Sequence, residues 1–413
     1  MVLDTKSHVA RKELMQRELD LKICIVTSSY PRFVDDAAGV FIHRMAMHLG
    51  KIGNRVVVVA PHSYGTRKHE ILEGVEVYRF SYGITERHQT AAYGHGIYEN
   101  LRANKLVAMQ MPLFFRRCTR TCIRLNGFLK FDVFLAQWAL PMGLAIVTIR
   151  RNLRTPVAIY CHATDVFLTN LVSRNLAAYA LRNCELVFAN SQATARRIST
   201  IEPTCKPIVI PLGVDLGKFG YANPSNSTSR GKDLLFVGRL TDRKGIAYLV
   251  LAMRKIVAQT DCRLTVVGDG PLRNQLEEFC HDNELDHIIR FAGNLPLREL
   301  LHLYSECHLV VAPSVTTHSG EAEGFPMVVL EAMAHGKAVV AGKGGGTPEL
   351  VHDGVNGLLV DPSDVDRLSR AILFLLQNDD VRERMGTQGR EMADNYSWDV
   401  VANRIDEQLS KLA

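Results

Sequence analysis

Gly320-Glu321-Ala322-Glu323-Gly324-Phe325-Pro326-Met327-Val328-Val329-Leu330-Glu331 runs on through Ala332-Met333-Ala334-His335-Gly336 and Lys337-Ala338-Val339-Val340-Ala341 to a glycine cluster, Gly342 to Gly346. An acidic loop leads into Pro326, and proline is favoured in the first turn of a helix. Met327 to His335 reads as a short apolar helix that Gly336 ends as a left-handed cap. Lys337 to Ala341 then reads as a short buried strand. Glu323 precedes the helix and Glu331 sits within it, about one and a half turns beyond Pro326. A carboxylate in so apolar a helix is costly to bury unless a partner takes its charge or its hydrogen bonds. Free amides at a helix start suit an anion such as phosphate. Two readings stand at this point: a ligand site built on the helix start and its two glutamates, or a surface loop followed by a core helix with one solvated Glu.

The rest of the chain sets the context. A length of 413 residues allows two or three domains, each with its own core, and 47% hydrophobic with 22% charged residues is a soluble globular composition. Charge is divided unevenly: residues 1–210 carry 28 Lys and Arg against 15 Asp and Glu, a net of +13, while the remainder is net −7. Opposite signs in the two halves point to two domains with different partners. Nine cysteines without a Cys-x-x-Cys pair argue against a disulfide framework or a zinc site, so buried thiols in a reducing compartment are expected. Cys118 and Cys122 stand one helical turn apart, which a helix explains without a metal. The first 20 residues are polar and of mixed charge, unlike a signal peptide. No apolar run is long enough to span a membrane. A cytoplasmic protein is expected.

Working outward, Lys22 to Thr27 reads as a strand, Val40 to Gly50 as a helix and Arg55 to Pro61 as a β-branched strand. This strand–loop–helix–strand unit opens a doubly wound parallel sheet. Gly39, where the helix starts, permits close approach of a ligand. Asp132 to Ala136, Pro156 to Tyr160, Leu186 to Ala189 and Pro207 to Ile210 continue the sheet. His162 follows a strand at its carboxyl end, where open α/β sheets bind ligands. Pro211 to Gly231 reads as a linker. A second sheet follows, with strands at Leu234 to Gly238, Arg263 to Val267, Ile289 to Ala292 and Leu309 to Ala312. Arg239 and Lys244 gather at a strand end and helix start, where the dipole is already positive, so that either an anion bridges them or both are solvated at the surface. Gly268 and the Asn294-Leu295 pair stand in the loops after the next two strands. The Gly342-x-Gly344-x-Gly346 run is a weak dinucleotide signal, because only a short helix and no placed acidic residue follow it. Asp364-Val365-Asp366 has the form of a metal-binding Asp-x-Asp, but helix capping accounts for it. The resulting division is an extension at 1–20, a first domain at 21–210, a linker at 211–231, a second domain at 232–395, and a final segment at 396–413 whose helix is expected to return to the first domain.

One segment of the first domain stands apart. Asn100 to Lys130 holds Arg102, Lys105, Arg116, Arg117, Arg120, Arg124 and Lys130 with no acidic residue. Phe114, Phe115 and Phe128 lie among them, and Pro112 and Gly127 are expected to bound the helix. Contact with an anionic membrane surface, an anionic acceptor site and a solvated helix face all remain open.

Taken together, these motifs resemble the retaining glycosyltransferases of family 4, with the two-Rossmann GT-B fold, among them the exopolysaccharide and lipopolysaccharide type of bacteria. The resemblance rests on Pro211 to Asp215, Val237-Gly238-Arg239-Leu240, Lys244-Gly245, Val267 to Pro271, the Glu323-x7-Glu331 element and Gly345-Gly346-Thr347-Pro348-Glu349. It implies an α/β fold of two Rossmann-like domains facing a cleft, and transfer of a sugar from a nucleotide donor to a glycan or lipid-linked acceptor. No metal and no further cofactor is implied, and no nucleic acid. By the same resemblance Arg239 and Lys244 would hold the donor diphosphate, and Glu331 the ribose. Glu323 would hold the sugar, with Gly324, Phe325, Pro326 and Met327 around it. Gly39, Gly268, Asn294 and Leu295 would complete the donor site, and His162 would face the anomeric carbon. Ala38 and Ala163 stand where the family often has glycine. A sugar-nucleotide epimerase and a non-catalytic donor-binding partner are the competing classes; the Glu323-x7-Glu331 element argues against the first, and intact Arg239, Lys244, Glu323 and Glu331 against the second.

Overall fold

The computed structural model describes residues 20–34, 36–94, 96–167, 170–219, 232–318 and 320–413. The expected extension at 1–20 lies outside the described residues up to residue 19, as do the linker from 220 to 231 and the side chain of Arg102. The strands are β1 Lys22–Val26, β2 Arg55–Pro61, β3 His69–Leu72, β4 Val75–Phe80, β5 Val133–Gln137, β6 Val157–Cys161, β7 Leu186–Ala189 and β8 Ile208–Val209 in the first domain. In the second they are β9 Lys232–Val237, β10 Cys262–Val267, β11 Ile289–Gly293, β12 Leu309–Ala312, β13 Val339–Gly342 and β14 Gly357–Val360. The helices that matter below are α1 Val40–Lys51, α2 Met111–Leu129, α3 Leu171–Arg182, α4 Gln192–Ile201, α5 Ile246–Val257, α6 Met327–Ala334 and α7 Trp398–Leu409.

The first sheet runs β3-β4-β2-β1-β5-β6-β7-β8, and the second β11-β10-β9-β12-β13-β14. All pairings are parallel except β3 with β4. Runs such as Val56 to Ala60 are buried on both sides, the signature of parallel strands covered by helices on each face. The order reverses between β1 and β5 in one sheet and between β9 and β12 in the other, and such switch points are where open sheets hold ligands. The loops after β1, β5, β9 and β12 converge there. The β3–β4 hairpin extends the first sheet beyond the strands read from sequence. Its turn, Glu73 at φ 43° and Gly74 at φ 86°, is left-handed at both residues.

The chain crosses between domains near Val214, whose backbone pairs with Ser397. Beyond that point α7 lies on the first domain. His48 Nδ1 is 2.7 Å from Asp399 Oδ1, the Asn54 amide donates to Asp406 at 2.7 Å, and Arg404 donates to the carbonyl of Val209. Trp398, Val401 and Ile405 join an apolar cluster that also holds Ile25, Leu212 and Leu330, so the two domains share part of a core. The start of α6 differs in detail from expectation: Pro326 is the extended N-cap, and Met327 opens the helix.

The basic segment is corrected in two respects. Helix α2 runs through Gly127 to Leu129, so that glycine does not end it. Phe114 is fully buried, edge-on to Phe80 and Tyr82, with Cys118, Cys122 and Leu125 on the same inward face. It is not available to a membrane. The outward face holds Arg116, Arg117, Arg120, Arg124, Ile123 and Phe128. None of these arginines lines the cleft between the domains, so the anionic-acceptor reading of this helix finds no support.

Candidate active site

A cleft of about 1700 Å³ separates the two sheets' carboxyl edges. Its first-domain wall includes Ser28, Ser29, Ala38, Tyr98, Trp138 and Thr164; its second-domain wall includes Arg239, Thr241, Arg243, Ser314, Thr316 and Gly344. Gly39 starts α1 at φ 64°, and a Cβ there would lie 2.3 Å from the carbonyl oxygen of Ser29. Only glycine lets the β1 loop fold back onto the helix start in this way.

The second-domain wall is backed by a charge cluster. Strand β9 delivers Arg239, half-buried in the cleft and in no ion pair among the described residues. A single 3₁₀ turn, Asp242–Lys244, then places Arg243 and Lys244 against the loop after β12. Lys244 Nζ lies 2.7 Å and Arg243 Nη1 3.3 Å from Glu323 Oε2. Burial works against the Glu323 carboxylate. The two cations, with hydrogen bonds from Lys244 and Ser314, outweigh it and hold its pKa below the ordinary range. Arg243 was not singled out from the sequence, although its place beside Lys244 was the available signal.

Glu331, one helix further in, has the opposite fate. Burial pushes its pKa up to about 7, against the opposing pull of the Tyr304 hydroxyl and Lys244. Tyr304 donates to Glu331 Oε2 at 2.8 Å and stacks on His335 at 5.0 Å between ring centroids. Nothing local in the sequence ties Tyr304 to Glu331. Phe325 turns its ring into the core, so only its backbone faces the site, and Pro326 has no N–H to offer. Met327 is half-buried. Gly268, Asn294 and Leu295 stand at the ends of β10 and β11, one and two strands out from β9; of the expected site residues Arg239 lines the cleft itself, while these three, like Gly39, His162, Lys244, Glu331 and Glu323 to Met327, lie behind its walls.

Opposite, His162 follows β6. Its Nε2 is 2.8 Å from Oε1 of the buried Gln137, and its ring stacks on Tyr160 and meets Phe41 and Trp138 edge-on. Its Nδ1 is buried with no hydrogen-bond partner among the described residues. Burial lowers its pKa to about 3, so the imidazole is neutral at pH 7. Asp165 holds the turn, accepting from the amides of Ala139 at 2.6 Å and His162 at 3.0 Å. Ala163 sits at φ 81°. A Cβ added to Gly324 would lie 2.4 Å from the Ala163 methyl, so the two walls touch there. A second bridge is Glu349, whose carboxylate accepts from the Gln192 and Ala193 amides at the start of α4, at 2.7 and 3.0 Å. That role for Glu349 was not read from the sequence. Asp364 caps its helix by accepting from the Arg367 amide, and Asp366 pairs with Lys255. Among the described residues no group of three or more His, Cys, Asp or Glu is gathered as a metal site.

A family model for glycosyl transferases group 1 matches residues 221–392, and one for glycosyltransferase family 4 matches residues 38–218. The chain is similar to a GDP-mannose-dependent monoacylated alpha-(1-6)-phosphatidylinositol monomannoside mannosyltransferase of Corynebacterium glutamicum, 32% identical over 234 residues that span 53% of this chain and 60% of the relative. In fold it is similar to a sucrose-phosphate synthase from Thermosynechococcus elongatus, with a TM-score of 0.79 at 21% identity over 95% of this chain and 99% of that one. It is also similar to Anabaena Alr3699/HepE in complex with UDP, with a TM-score of 0.71 at 20% identity over 95% and 100%. With the two family matches covering both domains and meeting near the crossover, the chain belongs to the glycosyltransferases, its first domain matching family 4 and its second group 1.

Proposed function

We propose that the chain is a retaining, metal-independent glycosyltransferase that moves a sugar from a nucleoside-diphosphate sugar to a hydroxyl of a glycan or lipid-linked acceptor. The observation that carries this reading is the pair of arginines lining the cleft, Arg239 and Arg243, with Arg243 and the neighbouring Lys244 both held on the buried Glu323 just behind that wall. A diphosphate arriving there meets cations already desolvated by the walls. As the bond from anomeric carbon to phosphate oxygen breaks, the oxygen gains negative charge, and fixed cations stabilise that charge more than the ground state. The diphosphate competes with Glu323 for Lys244, which leaves the Glu323 carboxylate to accept hydrogen bonds from the sugar hydroxyls. Glu331, with one oxygen taken by Tyr304, has the other for ribose hydroxyls. On the far wall a neutral His162 sets no positive charge against a sugar that becomes cation-like. Among the described residues lining the cleft, no carboxylate comes from the first-domain wall, which favours attack by the acceptor on the same face from which the diphosphate leaves.

A nucleoside diphosphate is supported further by the UDP bound to one structural neighbour and the GDP-mannose dependence named for one relative. The nucleotide is a substrate, and the scheme needs no cofactor. Helix α2, basic on its outer face, would hold the first domain at an anionic membrane surface such as the cytoplasmic leaflet; no described helix is long and apolar enough to cross a membrane. The test is incubation with UDP- and GDP-sugars and candidate glycan acceptors, with the anomeric configuration of the product read by NMR. Transfer with retention is expected. An inverted product would overturn the mechanism, and conversion of the donor sugar without transfer would identify an epimerase.

A further inference from the structure

Helix α3 follows the loop after β6 that carries His162 and Asp165. Its inward face is Ala177, Ala180 and Leu181. Its outward face carries Leu171 and Val172, each 70% exposed, with Tyr179 at 49% and Leu176 at 42%. Single apolar residues on a surface need no explanation, but four on one face of a three-turn helix form a patch. The patch begins at the mouth of the cleft, since Phe167, Asn170 and Ser173 at the start of the same segment line it.

The surroundings select the occupant. From Asn100 to Cys184 the chain has twelve Lys and Arg and only two acidic residues. Both acids are committed to backbone: Asp132 accepts from the Lys22 amide, and Asp165 is fully buried. Helices α2 and α3 cover the same face of the first sheet, because their inward residues belong to one apolar cluster. The short helix Leu144–Thr148 touches both. The outer layer therefore pairs a basic helix bearing exposed Ile123 and Phe128 with an apolar helix at the cleft mouth. Arg150 and Arg182 already pair with Glu185 and Glu202, but no ion pair among the described residues takes up Arg116, Arg117, Arg120 or Arg124 of α2; an anionic bilayer offers charge to that helix and hydrocarbon to the other.

We propose that Leu171, Val172, Leu176 and Tyr179 of α3 insert shallowly into an anionic bilayer and bring the cleft mouth to its surface. The inference rests on the membrane contact of α2 and adds where the entrance meets the lipid. It fits an acceptor that presents its hydroxyl while its lipid portion stays in the membrane.

The test uses the full chain and phosphatidylcholine vesicles with or without phosphatidylglycerol. Leu171→Trp supplies a local probe, read as the change from wild type, whose own tryptophans Trp138 and Trp398 are half-buried and buried. With anionic vesicles its emission should shift to the blue and be quenched by brominated lipid. Leu171→Gln/Val172→Gln should still be recruited in a salt-sensitive way but partition about tenfold more weakly. Co-sedimentation of Leu171→Trp without blue shift or quenching would overturn the proposal while leaving α2 as the contact. So would concentration-dependent self-association that the double variant abolishes with vesicle binding unchanged, because the patch would then belong to a second copy of the chain. No vesicle binding by wild type would overturn both membrane contacts. Stabilisation by UDP or GDP is measured alongside, so failure of the donor site is seen separately from failure of the membrane face.

Discussion

Replacing Glu331 by Gln should stabilise the ligand-free protein above neutral pH and at the same time weaken its hold on nucleotide. The carboxyl is packed against Tyr304 inside α6, and burial raises its pKa from an ordinary 4.5 to about 7. A raised acid pKa means that the folded state holds a proton that the unfolded chain releases. Stability from this group is therefore complete below about pH 4.5 and is lost as pH rises through about 7. A shift of this size corresponds to about 3 kcal/mol between the two ends of the window. Gln keeps the acceptor for Tyr304 and has no proton to lose, so this component vanishes. For domains of this size the difference at pH 8 should be roughly 5–10 °C in Tm, the variant being the more stable. Ribose hydroxyls favour the ionised form, because hydrogen bonds to a carboxylate are worth about 1.5–3 kcal/mol each. Wild-type affinity for UDP or GDP should then climb as pH passes 7, while the variant binds at least about tenfold more weakly with a flat profile. Thermal unfolding from pH 5 to 8, with and without nucleotide, measures both. Parallel pH profiles for the two proteins would refute the buried-acid reasoning; equal nucleotide affinity would remove Glu331 from the donor site.

Arg239→Ala and Lys244→Ala should each lower turnover by about two to three orders of magnitude, the cost of losing one donor to a developing anion. Arg239→Ala should leave Tm within about 1 °C, since the side chain is in no ion pair among the described residues. Lys244→Ala should also destabilise by about 1–3 kcal/mol, because it leaves the buried Glu323 with Arg243 alone. Activity should survive EDTA; loss that a divalent ion restores would end the metal-free scheme.

Much of this architecture was legible because its signals are local. Val56 to Ala60 and Val310 to Ala312 announce buried strands, and the glycine at 39 marks a place where backbones meet. Glu331 stood out because an acid in so apolar a helix needs a reason, and Glu323 through its spacing from Glu331. Their contrasting electrostatics did not, because Lys244 and Arg243 reach Glu323 across some 80 residues of chain and Tyr304 reaches Glu331 from another helix. His162 is likewise fixed by Gln137, on the neighbouring strand. Phe114 and Phe115 both turn toward the core, the half-buried Phe115 meeting the Phe114 ring edge-on at 6.3 Å between centroids. Cys118, Cys122 and Leu125 decide which face turns inward, and Phe114 goes with them while Phe128 is left 80% exposed. The β3–β4 hairpin was missed because its Glu73-Gly74 turn lacks the Asn-Gly or Asp-Gly pair that usually marks two left-handed residues.

Of the two alanines that depart from the family pattern, Ala163 bears on how the walls approach. Ala163 holds a left-handed backbone, a conformation that costs an L-residue about 1–2 kcal/mol, and its methyl rests against the bare Cα of Gly324. Methyl on one wall and glycine on the other are therefore complementary. Gly324→Ala would set two methyl carbons 2.4 Å apart, and to reach an ordinary separation the walls must part by more than ~1 Å. A displacement of that size at a reacting centre costs about a hundredfold in rate. The backbone at 324 is not left-handed, so the variant should still fold, with a cost limited to crowding of about 1–3 kcal/mol, and its loss of activity should persist well below its Tm. Ala163→Gly alone should change Tm little, since relief of strain is offset by the freer unfolded chain and the lost methyl contact. Combined with Gly324→Ala it should recover about tenfold or more of the lost rate, and not all of it, because Asn190 still stands 3.2 Å from the new methyl. The coupling in this double-mutant cycle is the quantity of interest. Independent effects of the two substitutions would mean that the walls do not close on one another at Ala163 and Gly324 when the sugar is transferred.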